Sequence, residues 1–497
     1  MTATALDNPD RRSAFDAPAF THVVVIGGGI AGLAAAHRLV QANLGVRITL
    51  IERDGRLGGK LLTERFDELV IEAGPDSFLS TKPRGVGLAT ELGLGDRLQG
   101  PTPRRHRAFV LRLGQLHPLP EGLSGLVPSR PWPVLTSGLL SPAGKLRFVS
   151  DLVLPARPGS DDESLASFVR RRLGGDAYDR LVEPLMAGIY AGDGDQLSLA
   201  ATFPQLRAAE LAHGSLIRGV LASKPVAAAG DAPAKPAFLA TAGGLGELVN
   251  ALAARLVTAG VDIRTNATAT SVRHQESDTR SLYVVDLADG ERLVADAVVL
   301  AAPAFAAGGL VTALDPVLAS ELRGIPHVST AIVHLACRRG QVAHPLDGHG
   351  YIIPRIEGRP ALAATFVSEK WPGRAPADLV LLRVFLGRSG QQEILGGSDA
   401  ELAGLARAEV ATTLGVSGEP AFSLVHRWPW GMPQYVLGHL DRLSRIDAAV
   451  DRQPGLALAG NAYRGVGIPD VIASGEAAAD AITAHLQSTA ARQPAAQ

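Results

Sequence analysis

A single cysteine, Cys337, stands among 497 residues, so no intrachain disulfide and no CxxC redox pair can form. Next to the apolar run Ala331 to Ala336, it reads as a small buried hydrophobe. The chain also lacks an excess of either charge: 48 basic residues face 49 acidic ones, for a net charge of −1. That balance argues against a general nucleic-acid binder, which carries a large positive surplus. No stretch reaches the ~18 uncharged apolar residues needed to span a bilayer. Met1 to Phe20 has no continuous apolar core of the signal-peptide kind, being interrupted by Asp7, Asp10, Arg11, Arg12 and Asp16. The 13 histidines are scattered, without HExxH or paired Cys/His spacing, so no metal site is expected. These absences lead to the expectation of a soluble, cytoplasmic protein. The Leu/Pro/Trp-rich stretch from Leu116 to Leu154 leaves two readings open, a peripheral membrane face or a domain shell.

What is present is a chain that can bury a large interior, with 46% hydrophobic residues and a length that suits about three domains. His22 to Ile26 (HVVVI) reads as a buried parallel strand, Gly32 to Val40 as a helix, and Gly45 to Ile51 as a second strand, which together make a βαβ unit. The joining turn, Gly27-Gly28-Gly29-Ile30-Ala31-Gly32, fits G-x-G-x-x-G. The first glycine allows the tight turn, the second lets backbone approach a pyrophosphate, and the third lets helix and strand pack closely. Glu52 ends the second strand, twenty residues after Gly32, where a ribose-binding acid belongs. Arg53 and the turn Gly58-Gly59-Lys60 extend the pattern to an acid followed by R-x-x-R-x-G-G, as in flavoproteins resembling glutathione reductase or amine oxidases, and favour FAD over NAD.

Further nucleotide-fold elements are expected at Ala242 to Leu256, Leu293 to Pro303, Leu456 to Gly460 and Val471 to His485. Between them, Ala108 to Leu119 reads as a hairpin around Gly114. Ser164 to Leu185 reads as helix broken at Gly174 and Gly175, and Ser398 to Leu414 as an amphipathic helix. No fixed-period repeat is present. The nucleotide-binding elements thus lie at the beginning, middle and end of the chain, with inserted material between them.

Three strings carry a family resemblance: Gly74-Pro75-Asp76-Ser77-Phe78, Glu183 to Asp193 (EPLMAGIYAGD), and Tyr463 to Pro469 (YRGVGIP). With them the chain resembles the protoporphyrinogen/coproporphyrinogen oxidases of the amine-oxidase-like flavoprotein superfamily, from residue 22 to about 485. The last string is similar to the soluble bacterial branch that oxidises coproporphyrinogen III. The resemblance implies an α/β dinucleotide-binding FAD fold of the glutathione-reductase/hydroxybenzoate-hydroxylase kind, at 20–80, 236–305 and 452–488. It adds a mixed-sheet substrate domain at 81–99, 206–235 and 306–451, and a helical domain at 100–205. It implies FAD contacts at Gly27, Gly28, Gly29, Ile30, Ala31, Gly32, Glu52, Arg53, Lys60, Gly74, Pro75, Asp76, Ser77, Val272, Trp428, Val466, Gly467 and Ile468.

The implied reaction is a six-electron oxidation of coproporphyrinogen III by FAD and O₂, producing coproporphyrin III and hydrogen peroxide in haem biosynthesis. The flavin carries the redox step, so no catalytic triad is expected. The Ala187 to Asp193 string is expected to be a substrate-facing loop, with Met186, Gly188 and Tyr190 at the cavity. Lys82, Arg84, Arg104, Arg105, Arg107 and Arg130 are candidate propionate partners, Lys82 and Arg107 foremost. The organelle branch carries an arginine directly before the F-V-L strand, where this chain has Ala108, with Arg107 one residue earlier. Protoporphyrinogen IX oxidation and amine-oxidase-like chemistry are the alternatives. The remaining partner expected is a transient one, the next haem-pathway enzyme.

Overall fold

The computed structural model describes residues 21–104, 108–124, 126–128, 131–159, 161–222, 236–276 and 281–492. β1 (His22–Ile26) is buried along its whole length, as a strand covered on both faces must be. It lies at the centre of a five-stranded parallel sheet, ordered Asp262–Arg264, β2 (Arg47–Ile51), β1, Ala297–Leu300, Leu456–Leu458. On one face, α1 (Ile30–Gln41), Gly246–Thr258 and Ile468–Arg492 close an apolar layer through Leu33, Leu39, Leu248, Leu252 and Ile472. α1 and the last helix meet backbone to backbone: a side-chain carbon on Gly475 would lie 2.2 Å from the Ala31 carbonyl oxygen. The other face is covered by the antiparallel strands Ala269–Glu276, Ser281–Leu287 and Arg292–Ala295 and by the helices Ala304–Leu310, Pro316–Arg323 and His439–Asp451.

A second sheet has seven strands, ordered Phe422–Pro433, His327–Arg338, Leu379–Leu386, Ala361–Phe366, Gly350–Ile352, Phe109–Arg112, Gln115–Pro118. Strand alternation splits its long strands between two faces. Val333, Leu335, Cys337, Leu382 and Val384 pack under the helix Asp399–Leu414, which a reciprocal Ser398–Glu401 capping box starts. Thr330, Ile332, Arg383, Phe385 and Trp428 take the opposite parity and turn toward the nucleotide-binding layer. Cys337 is the buried hydrophobe expected.

The third unit is helical. Leu165–Leu173, Glu183–Tyr190, Pro204–His213 and Leu216–Ala222 bury Phe168, Val169, Met186, Leu206 and Ile217 together. Gly174, at φ +91°, breaks the first helix at the expected place.

The bounds of the inserted units differ from expectation, because packing partners decide them. The hairpin Phe109–Pro118 stands where a hairpin was expected, but it extends the large sheet and not the helical domain, through parallel pairing of Phe109 and Val110 with Tyr351 and Ile352. Residues 204–222 join the helical core instead of the sheet unit. Pro83–Glu91 buries Leu88 and Ala89 in the nucleotide-binding layer, and Ala304–Leu310, Pro316–Arg323 and His439–Asp451 pack there as well. Among the described residues no helix is long and apolar enough to cross a membrane.

Candidate cofactor and substrate cavity

The glycine turn between β1 and α1 separates three tasks. Gly27 sits at φ +113°, and a Cβ there would lie 2.8 Å from the Ala301 carbonyl oxygen. A Cβ on Gly32 would lie 1.9 Å from the Gly27 carbonyl oxygen, so only glycine lets α1 start this close to its strand. Gly29 has an ordinary backbone (φ −70°, ψ 174°), and a Cβ there would meet nothing within 4 Å. It faces open space at the N-terminus of α1, where no side chain caps the helix and no acidic residue occupies the first turn. Free N–H groups and the positive end of the helix dipole are therefore left for an anion. Glu52 stands beside this turn, accepting from the Gly28 N–H at 2.7 Å and the Asp54 N–H at 2.9 Å.

These elements open into a cavity of about 990 Å³. Of the residues expected at the cofactor, Gly27, Gly29, Ile30, Ala31, Glu52, Arg53, Lys60, Gly74, Pro75, Trp428, Val466, Gly467 and Ile468 line it. Trp428 is fixed by its indole N–H donating to the Ala73 carbonyl at 2.7 Å. The Tyr463 to Pro469 turn is held by Tyr435, whose hydroxyl donates to Asn461 O at 2.7 Å and accepts from Gly465 N–H at 2.8 Å. Burial pushes the Lys60 ammonium down to about 8 and the His327 imidazole down to about 4.

Several expected residues stand elsewhere. Gly28 and Gly32 lie behind the cavity wall, in the turn itself. Asp76 faces away from the cavity and accepts from Lys370 Nζ at 2.9 Å and Trp371 Nε1 at 3.0 Å. Burial opposes its charge, but Lys370 and Arg383 hold the carboxyl below the usual carboxylate range. Ser77 donates to Asp76 and so belongs to the same half-buried anchor. Val272, expected to serve through its backbone, packs its side chain fully into the core, and the cavity wall on its strand is made by Ala269 and Thr270, preceded by Ala267 and Thr268.

Ala187 to Tyr190 of the substrate-side string form the last turn of the helix Glu183–Tyr190 instead of a loop, and the chain leaves the helix at Ala191, left-handed at φ 48°. Helical phase therefore sorts its side chains. Ala187, Gly188, Ile189 and Ala191 reach the cavity. Met186 is fully buried in the helical core, and Tyr190 packs edge-on against Phe203 and Tyr435.

The cation candidates in the described residues are engaged away from the cavity. Lys82 binds Asp470 at 2.7 Å, Arg84 binds Glu91 and Glu476, and Arg104 binds Glu369. Arg105, Arg107 and Arg130 lie outside the described residues. Wall residues that sequence reasoning missed include Arg383, Phe305, Phe385 and Trp430. Which face of the strands carrying Ile332, Arg383 and Phe385 meets the cavity is set by how the second sheet lies against the nucleotide-binding layer, not by local spacing.

The donor set fits a dinucleotide: an open glycine, an uncapped helix start, an acid for a ribose, and the start of a second helix at Val466 to Ile468. Removing the Glu52 carboxylate is expected to weaken FAD binding about tenfold, or about 1.4 kcal/mol. Titrating Glu52→Ala apoprotein with FAD and following fluorescence quenching measures it. A second expectation concerns Lys60. Its apo value near 8 leaves it mostly neutral at pH 9, and the phosphates of a dianionic cofactor favour the charged form. FAD binding at pH 9 should then take up about one proton. Calorimetry in buffers of differing ionisation enthalpy should detect this uptake, and Lys60→Met should lack it.

Residues 30–483 match the family described as flavin containing amine oxidoreductase. The coproporphyrinogen III oxidase of Bacillus subtilis (strain 168) is 37% identical over 470 residues, covering 93% of this chain and 98% of that protein. The chloroplastic/mitochondrial protoporphyrinogen oxidase 2 of Arabidopsis thaliana is 28% identical over 495 residues, covering 94% of each. A crystal structure from Exiguobacterium sp. 255-15 superposes with a TM-score of 0.82 at 32% identity, covering 93% of this chain and 99% of the other. FAD is thus the cofactor of this chain. The chain belongs to the flavin-containing amine oxidoreductases, in the family of the bacterial coproporphyrinogen III oxidases.

Proposed function

We propose that this protein oxidises coproporphyrinogen III to coproporphyrin III by six electrons, with O₂ as final acceptor and hydrogen peroxide as by-product, in cytoplasmic haem biosynthesis. The observation that carries the reading is the 37% identity to the Bacillus subtilis enzyme, extending over 93% of the chain. The cavity supports it chemically. Its sheet-side and helix-side walls are apolar, with Ile189, Phe305, Leu362, Phe385, Trp430 and Met432, and Gly188 lets a flat ring approach the backbone. Bound flavin supplies the acceptor for a hydrogen removed with its electron pair. The chain's own residues hold the macrocycle flat and exclude water from the reacting face. Protoporphyrinogen IX is the second substrate to consider, because the Arabidopsis relative bears that name. Purified holoenzyme is to be given both porphyrinogens while porphyrin fluorescence and O₂ uptake are followed. Turnover of coproporphyrinogen should be faster, with about three O₂ consumed per porphyrin. Equal or faster turnover of protoporphyrinogen overturns the preference.

A further inference from the structure

The strand Phe422–Pro433 is irregular where it borders the cavity. Thr330 pairs with Trp428 and Val328 with Met432, so Pro429, Trp430 and Gly431 together stand opposite the single residue Ser329. Extra residues on one strand make a bulge, and bulges re-aim side chains next to functional sites. This one turns out Trp430. The backbone of Trp430 is left-handed at φ 48°, which a bulky residue adopts only where its surroundings hold it. Two contacts do so. The Trp430 N–H donates to Ser329 Oγ at 2.9 Å, and the Ser329 N–H donates to Gln392 Oε1 at 2.7 Å. Gly431 then closes the bulge tightly, since a Cβ there would lie 2.9 Å from Trp428 Cβ.

What the strained backbone presents is a largely uncovered indole. Among the large apolar residues of the cavity wall, only Ile189 and Trp430 are exposed, at 42% and 60%. Phe305 steadies the indole at 5.5 Å and 71°, and Phe305 itself meets His327 at 5.1 Å and 89°. Trp430 also stands between two parts of the wall. Trp428 on one side is fixed at the Ala73 carbonyl beside Gly74, and Met432 on the other packs on Ala187, Ala191 and Leu362. An exposed aromatic surface gains free energy when a flat apolar ring covers it. We propose that Trp430 is a specificity-determining residue that stacks its indole on a pyrrole ring of the substrate at the cavity mouth, with Ser329 as the positioning residue that aims it. The proposal rests on the porphyrinogen reading above. A porphyrinogen offers four π faces for this contact, whereas an aliphatic amine offers none.

The test titrates coproporphyrin III into holoenzyme while its Soret band is followed, with coproporphyrinogen III kinetics measured alongside. Trp430→Ala should weaken porphyrin binding and raise KM, each about tenfold, with a smaller effect on kcat. Trp430→Phe should restore most of the affinity. Ser329→Ala should lose about threefold, and the double variant Ser329→Ala, Trp430→Ala should bind no worse than Trp430→Ala, because the serine acts only through the indole. FAD affinity, read by fluorescence quenching, should stay the same in all four. If Trp430→Ala does not fold, Trp430→Gly takes its place, since glycine relieves the left-handed backbone. Wild-type porphyrin affinity in the variant lacking the indole, or loss of FAD in place of porphyrin, overturns the proposal. Additive losses in the double variant overturn the role of Ser329. If wild-type holoenzyme itself binds no porphyrin, the porphyrinogen reading fails first and takes this proposal with it.

Discussion

Gly29→Val should purify as a folded protein that has lost FAD. The backbone at Gly29 is one that a β-branched residue adopts readily, and a Cβ there touches nothing, so valine is accommodated by the fold. Its methyl groups instead enter the space over the N-terminus of α1 that a pyrophosphate needs. The neighbouring glycines behave differently. A side chain on Gly27 or Gly32 strikes backbone at 2.8 or 1.9 Å and damages the turn itself. The separation is therefore sharp: Gly29→Val keeps its far-ultraviolet circular dichroism and melting transition, but loses affinity by about a thousandfold or more, about 4 kcal/mol. Absence of the flavin absorbance band at about 450 nm from the purified variant checks it. A full flavin complement in Gly29→Val would mean that the open space is not the phosphate site.

The second large effect is on stability, in the helical unit. Arg172 is completely buried, as are Asp151 and Glu210 beside it. Its guanidinium donates to Asp151 Oδ1 at 2.5 Å, to the carbonyls of Asp151, Pro155 and Gly214 at 2.9 to 3.0 Å, and to Glu210 at 3.4 Å. Asp151 in turn accepts from Ser215 and the Ile217 N–H, and this links three helices. Arg172→Met leaves a buried carboxylate without its cation and should cost about 3–5 kcal/mol. The double variant Arg172→Met, Asp151→Leu should recover part of that loss, because it removes the orphaned charge.

Thermal melting of the two variants, with limited proteolysis to locate the loosened unit, distinguishes this from a surface effect, which would stay within about 0.5 kcal/mol. The same network sets an acid limit. Burial alone would raise Glu210, but Arg171, the Arg157 N–H and Arg207 bring it down to about 2. A carboxylate lowered in the folded state stabilises above its unfolded value of about 4.5, and that contribution is lost as pH falls toward 2. The helical unit should loosen first across that window.

The parts of this molecule that were legible in its sequence are those fixed by neighbours along the chain. The HVVVI strand, the glycine turn and Glu52 belong to one βαβ unit whose logic is local, and all three stand where the spacing puts them. The hairpin at Leu113 and Gly114, both at positive φ, and the helix capped by Ser398 and Glu401 are local for the same reason. Contiguity in a motif did not tell which residues would face the cavity. Gly74 and Pro75 do, while Asp76 and Ser77 turn into the interior to meet Lys370 and Trp371, almost 300 positions away. Met186 and Tyr190 were misplaced because reading the string as a loop discards the helical phase that buries them. Arg383 and Phe305 could not be found from spacing, since the second sheet must first be laid against the nucleotide layer. Which unit a segment joins depends on the same packing. Leu88 and Leu206 are equally apolar in the sequence, and only tertiary packing assigns one to the nucleotide layer and the other to the helical core.

The central claim is that one cavity brings FAD and a porphyrinogen together. Mixing oxidised holoenzyme with coproporphyrinogen III in a stopped-flow instrument, without oxygen, tests it most directly. Flavin absorbance should bleach in step with oxidation of the porphyrinogen, and amines such as putrescine should leave it unchanged. Bleaching by an amine, with none by coproporphyrinogen III, would contradict the account.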